Sequence, residues 1–439
     1  MRKYFGTILL VVLFLALGSY VYFYEIKGQK KRDEITAAGK KVFNINADNI
    51  DVLELIYPDQ KFKLTRYGHN KWKLTQPIED EADSDEINKI IKSLSELEKQ
   101  RELNADTFKL TVFELNKPKI IIQFQVAGEK IPKSLALGRD TPAGDNMYVQ
   151  VGQEPKAFLV ASYQRHSFDK NIQDLRNKIV APFEKEKVDE LSLLDFRNKS
   201  EIKLNKKDEK WKIIHPIVAE TSQGAVLDFL GTLEGLRAQS FLEKQKTPLK
   251  LYELSLSEGP KISFFRDGKK FYARRSDRKA WMVVEDGIDK KIFKDVFAFR
   301  EKDVLELNVL DVKKIVINRK NIDPSGSTLR VTEGQWMWGD KKLKNDRVRN
   351  FLNSMTDTEV EDFIDNPSNN LSTYGLDKPT SSISIYGENN KEILSILAAK
   401  SNSPYLYIKR KNQKKPLYKV SGAFLNNLPK SFENWVDKP

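Results

Sequence analysis

Residues 71–78 read Lys71-Trp72-Lys73-Leu74-Thr75-Gln76-Pro77-Ile78, and the chain nearly repeats itself at Lys210-Trp211-Lys212-Ile213-Ile214-His215-Pro216-Ile217. The offset is 139 residues (211 − 72), and it continues downstream without a gap. Ile87, Ile90, Ile91, Leu94 and Leu97 meet Val226, Phe229, Leu230, Leu233 and Leu236 at that same offset. A third, more diverged copy surrounds Trp336. Repetition of domain-sized units describes how a chain is built, whereas a catalytic centre needs a constellation that occurs once.

Each copy opens on apolar residues at period two, which put one face of a strand on a core: Ile50-x-x-Leu53-x-Leu55, Val188-x-x-Leu191-x-Leu193 and Val312-x-x-Ile315-x-Ile317. Phe62-x-Leu64, Ile202-x-Leu204 and Leu329-x-Val331 follow, then turn residues, then the Trp strand. The pattern predicts a three-stranded antiparallel meander. A helix comes next, with Asp83 or Ser84 placed to cap it and Asp85 and Glu86 favouring the positive end of its dipole. The isoleucine-leucine stripe covers one helical face, and copy three keeps Val348, Phe351, Leu352 and Met355 on it. Trp72, Trp211 and Trp336 sit mid-strand and read as core aromatics.

Beyond the helix stand Phe113-Glu114-Leu115 with Pro118, Tyr252-Glu253-Leu254 with Pro260, and Tyr374-Gly375-Leu376 with Pro379. A closing hairpin runs from Tyr148, Tyr272 or Tyr407 to Phe158, Trp281 or Leu417. Copies one and two end on Leu175-Arg176-Asn177-Lys178 and Phe299-Arg300-Glu301-Lys302. From proline to hairpin tyrosine the middle copy is much shorter than the others, so it is expected to lack about one strand and its loop. The fold class expected is α+β: a transmembrane helix, then three tandem domains, each an antiparallel sheet with one packed helix. The boundaries read as an anchor at 1–25, a charged linker at 26–41, and repeats at 42–179, 180–302 (shortened) and 303–439.

The anchor rests on the run from Phe5 to Tyr24, which carries no charge. At about 1.5 Å per residue it matches a hydrocarbon core of roughly 30 Å. Tyr4, Tyr20, Tyr22 and Tyr24 sit at its ends, and the run continues past Leu15-Ala16-Leu17-Gly18-Ser19, a poor cleavage site. Lys27, Lys30, Lys31 and Arg32 after the span outnumber Arg2 and Lys3 before it, which points the body to the cytoplasm. Long domains translocate largely regardless of that count.

There is no cysteine, so neither a disulfide framework nor thiolate chemistry can be built. The 75 basic and 62 acidic residues are interspersed, so the net charge of +13 reads first as a solvated surface. Two hairpins concentrate it. Lys270, Arg274, Arg275, Arg278 and Lys279 interleave with Phe271, Tyr272 and Trp281, and Lys409, Arg410, Lys411, Lys414 and Lys415 occupy the corresponding hairpin of copy three. These ten are the candidate contacts to a partner, an anionic lipid or an anionic glycan. Alternation along a strand would equally place such residues in water with no partner.

No catalytic residue, cofactor site or metal site is assigned. His69 and His215 face Asp208 and Gln76 in their sister copies, and no paired histidine spacing exists. The run Glu79-Asp80-Glu81-x-Asp83-x-Asp85-Glu86 lacks the calcium-loop spacing, and copy two offers Val218-Ala219-Glu220-Thr221-Ser222 in its place. Walker A and nucleophile-elbow patterns are absent, so the chain cannot itself energise transport.

The short anchor, the Trp72–Ile78 motif, its echo at Trp211–Ile217, and Tyr374-Gly375-Leu376-Asp377-Lys378-Pro379 resemble the bacterial family catalogued as domain of unknown function 4340. That resemblance implies an auxiliary envelope protein linked with gliding-type ABC transport systems. It would be single-pass in the inner membrane with its body in the periplasm, and its partners would be a permease and ATPase. It supplies no catalytic residues. The function expected is a non-enzymatic scaffold; the alternative is a module that binds an envelope polyanion. Contact with nucleic acid would require a cytoplasmic body and is not expected.

Overall fold

The structure, a computed structural model, describes residues 14, 15, 20, 22 and 39–437 apart from 105–106, 246–247, 306, 321–322 and 401–403. Apart from residues 14, 15, 20 and 22, the anchor expected at 1–25 lies outside the described residues, as does most of the linker. Among the described residues no helix is long and apolar enough to cross a membrane. The chain forms two compact units: residues 1–180, 237–247 and 272–285, and residues 181–236, 248–271 and 286–439.

Three nine-stranded sheets with few helices carry the three repeats. In the first, β1 (Ile50–Ile56), β2 (Lys61–Gly68), β3 (Lys71–Gln76) and β4 (Asp80–Glu81) precede the helix α1 (Ser84–Ser95). After it come β5 (Arg101–Asn104), β6 (Ile120–Val126), β7 (Lys133–Asp140), β8 (Asn146–Val151) and β9 (Lys156–Ala161). The strand order is β4-β3-β2-β1-β6-β7-β8-β9-β5, and the other two sheets repeat it strand for strand. The pairings of β1 with β2 and of β2 with β3 are antiparallel, which is the expected meander.

α1 joins β4 to β5, the two edges of one sheet. A flat nine-stranded sheet would be about 38 Å wide. A 12-residue helix is only about 18 Å long. Yet Leu53, Phe62, Trp72, Phe124, Leu137, Val149 and Val160 share one core with Ile87, Ile90, Ile91 and Leu94 of the helix. The sheet therefore curves around its helix. Burial on β6 alternates cleanly, as one covered face requires. Burying each of these large apolar side chains contributes roughly 1.5–3 kcal/mol.

The helices of the other repeats, α2 (Gln223–Glu234) and α3 (Asn345–Thr356), bury the equivalent stripes. Asp83 caps α1 by accepting the Glu86 N–H at 3.1 Å. The tryptophans are buried: Trp72 1%, Trp211 3% and Trp336 9% exposed. In every repeat the first helical residue accepts the tryptophan backbone N–H through its side chain. Ser84 Oγ does so at 3.1 Å, Gln223 Oε1 at 2.8 Å and Asn345 Oδ1 at 3.0 Å. Three different residue types perform one task, which ties the helix start to the Trp strand.

The middle repeat has not lost a strand, contrary to the sequence expectation. Strand register identifies the true equivalents: Leu55 faces Ile122, Leu193 faces Leu254 and Ile317 faces Ile383. Tyr252-Glu253-Leu254 thus lies inside the strand equivalent to β6 and does not match Phe113-Glu114-Leu115. What is shortened is the link between the fifth and sixth strands, residues 243–248 against 105–119 and 365–380. In repeats one and three that link turns at Glu114 (φ 60°) and Gly375 (φ 68°). It then lays Leu115 against Ala136 and Ala157, and Leu376 against Ala399 and Leu417, on the back of the sheet. Phe113 stacks on Tyr148 at 4.0 Å, and Tyr374 meets Tyr407 edge-on at 5.3 Å. A Cβ on Gly138 would come within 2.2 Å of the Phe113 carbonyl oxygen, so only glycine allows this approach.

Candidate functional site

In the first unit two neighbours in the acidic stretch, Asp80 and Glu81, meet buried arginines. β4 is only two residues long and pairs Asp80 with Leu74 on the Trp strand. Leu175-Arg176 ends the first repeat, and Arg176 bridges back to Ala82. That places Arg176, 2% exposed, with Nε 2.5 Å from Asp80 Oδ2. Arg278, 6% exposed, donates to the same carboxylate from Nε and Nη2, both at 2.7 Å, and from Nη1 to the Asn177 carbonyl at 2.7 Å. Arg176 also donates from Nη1 to Glu243 at 2.6 Å. Both guanidiniums lie against the Phe241 ring, at 4.3 and 4.5 Å from its centroid. Arg275 grips Glu81 with two bonds of 2.9 Å. Burial pushes the Asp80 carboxyl up, but the hydrogen bonds and charge of Arg278, with those of Arg176, outweigh it and hold it below the usual carboxylate range.

The second unit contains a similar joint. Phe299-Arg300 ends the second repeat, and Arg300 bridges to Thr221 as Arg176 does to Ala82. Arg300, 6% exposed, stacks on Phe363 at 3.6 Å and donates from Nη1 to both oxygens of Asp365 at 2.8 Å. Phe363-x-Asp365 therefore plays the part of Phe241-x-Glu243. The third repeat closes differently: Val436 makes the bridge to Leu343, so hydrophobic packing stands where an arginine ends the other two. Beside Arg300 a cleft of about 900 Å³ opens, lined by Ala219, Arg410, Lys414, Lys415 and Tyr418 among others. Burial raises the Tyr418 hydroxyl above its ordinary value, with Arg410 and Arg300 acting the other way.

The ten residues chosen from the sequence separate accordingly. Arg275 and Arg278 do not face outward for a polyanion; both are buried in internal ion pairs, because carboxylates of the first repeat reach them. Lys270, Arg274 and Lys279 are exposed, and Arg274 lies 5.3 Å from the Trp281 ring. Lys409 is half-buried, and Lys411 donates to Ser384 Oγ at 3.2 Å. Arg410, Lys414 and Lys415 are brought together at the cleft. Sequence reasoning gave no role to Asp80, Arg176, Phe241, Arg300, Phe363 or Asp365. The signal was the arginine after an apolar residue at the end of two copies but not the third. Among the described residues no cluster of three or more acidic or histidine side chains could hold a metal ion.

Solved structures with partial likeness include DNA polymerase III subunit beta from Borrelia burgdorferi in complex with a natural product. It shares 8% identity over 90% of this chain and 96% of that chain, with a TM-score of 0.15. A DNA polymerase sliding clamp from Pseudomonas aeruginosa with ligand shares 8% over 88% and 94%, again at 0.15. Scores this low carry no argument about fold or function. No curated protein matches the chain. The model of a family described as a domain of unknown function, DUF4340, matches residues 72–255, 265–379 and 340–439, most of the chain's length, and the chain belongs to that family.

Proposed function

We propose that this chain is a non-enzymatic scaffold of the bacterial cell envelope. The run Phe5–Tyr24 would hold it in the inner membrane, with the repeats in the periplasm as an auxiliary component of a gliding-type ABC transport system. The observation that supports this most is where the buried charge goes. Arg176, Arg278, Asp80, Arg300 and Asp365 are committed to one another, with aromatic rings stacked on the guanidiniums. Such groups, left unpaired, would be the natural candidates for chemistry. Here they fasten one repeat to the next, which suits a body whose task is to present surface at a fixed spacing.

The experiment is purification of the full chain in mild detergent with identification of what accompanies it. Recovery of an ABC ATPase and its permease in fixed ratio is the expected result. Recovery of the chain alone, with hydrolysis of an envelope substrate, would sink the scaffold reading. The polyanion reading keeps one specific observation, the exposed Lys414 and Lys415 on the hairpin of repeat three. It requires binding of anionic glycan or lipid that weakens steeply with salt.

A further inference from the structure

The first joint contains its own ligand, and the second lacks it. Strand register makes the comparison exact in position: Asp80 faces Leu74 in the first repeat, and Ala219 faces Ile213 at the same place in the second. The arginine bridges that follow, Arg176 to Ala82 and Arg300 to Thr221, keep the same spacing. In the first joint one carboxylate accepts from Arg176 and Arg278 together, although Arg176 Nη2 stays buried without a partner there. In the second, the methyl group of Ala219 stands where that carboxylate would begin, and the cleft of about 900 Å³ lies beside it.

We infer that this cleft binds a carboxylate-bearing ligand in the place that Asp80 fills within the first joint. Three further observations support the assignment. The hydrogen bonds of Arg300 run from Nη1 alone to Asp365, whereas Arg176 uses Nε for Asp80 and Nη1 for a second acid. Arg410 Nε is buried without an acceptor, while Arg275, the last residue of the equivalent strand, donates from Nε to Asp277 at 2.9 Å. Four acids line the cleft. Asp365 accepts from Arg300, and Glu220 is 74% exposed and paired with Lys212 at 3.1 Å. Glu301 accepts the backbone N–H groups of Lys302 and Asp303, and Asp303 is exposed. The volume falls in the range of small-ligand sites, roughly 300–1,000 Å³, so the carboxylate can carry a short peptide or a small organic acid body with it. Lys414 and Lys415 at the rim add attraction for a negative ligand.

The test uses the full chain and two probes: succinate, and an acetylated pentapeptide with a central aspartate and amidated C-terminus. Binding is followed by titration calorimetry, and stability by thermal unfolding. At least one probe should bind saturably, with at least tenfold loss in Ala219→Asp, which supplies the carboxylate internally. Ala219→Asp should also raise the unfolding midpoint above that of Ala219→Asn, which has the same shape without charge. Tighter binding of the peptide identifies a polypeptide source, and tighter binding of succinate a free acid. Lys414→Ala, an exposed change that leaves the joint intact, should weaken whichever probe binds. Failure of both probes to bind, or a midpoint for Ala219→Asp at or below that of Ala219→Asn, overturns the assignment.

Discussion

Asp80→Ala gives the first joint what the second has naturally, and its cost can be worked from the geometry. The change deletes three guanidinium bonds, one from Arg176 and two from Arg278, together with the bond from the Glu81 N–H. It leaves two guanidiniums almost wholly out of water. Breaking a buried pair by removing one partner costs about 3–5 kcal/mol. Arg176 keeps Glu243 and Arg278 keeps the Asn177 carbonyl, so the lower end, about 3 kcal/mol, is expected. That is a large part of a typical stability of about 5–15 kcal/mol. In a unit of some 200 residues it lowers the unfolding midpoint by about 6–12 °C.

The control is Glu243→Ala, whose side chain is 54% exposed and whose loss should cost under about 1 kcal/mol. Urea unfolding followed by tryptophan fluorescence on the full chain compares the two. The Asp80 carboxyl is held below its ordinary value in the folded chain, so its contribution is complete above about pH 4 and fades as pH falls through the folded value. The gap between wild type and Asp80→Ala should therefore narrow in acid. A cost for Asp80→Ala no larger than for Glu243→Ala would refute the reasoning.

Other expectations follow from the same geometry. Trp72→Ala empties a fully buried site and should cost about 3–5 kcal/mol in the same unfolding assay. Glu114→Gly relieves a positive φ at the turn of the back-face link and should stabilise by up to about 1 kcal/mol, where Gly375→Ala should destabilise. The Tyr57 hydroxyl is pushed up to about 12 by burial, with the hydrogen bond to Lys170 opposing. Its stability contribution is complete below about pH 10 and is lost as pH rises through that folded value. Tyr57→Phe, which removes bonds of 2.8 and 2.9 Å to the backbone of residue 170, should cost about 1–2 kcal/mol at neutral pH and less above pH 12.

The repeat, its meander, the helix stripe and the buried tryptophans were legible because period-two and period-3.6 patterns report burial directly. The back-face link was misread because an aromatic-x-Leu triplet fits either a left-handed turn or a strand. Only the register of Leu254 against Leu193 distinguishes them. The joints were hidden for a different reason. Arg278 and Asp80 are nearly two hundred residues apart, and nothing local marks a charged side chain as buried. The hairpin basic clusters looked uniform in sequence, yet Arg275 and Arg278 turn inward while Lys270, Arg274 and Lys279 stay in water. The substitution of Ala219 for Asp80 was visible as a loss of acidity between copies. Its meaning needed the arginines that the fold places there.

The central claim is that buried arginine–carboxylate contacts fasten one repeat to the next. A double-mutant cycle on Asp80→Ala, Arg278→Met and their combination tests it most directly. A coupling energy of about 2–3 kcal/mol is predicted for groups in one buried network. Additive losses, with coupling under about 0.5 kcal/mol, would contradict it.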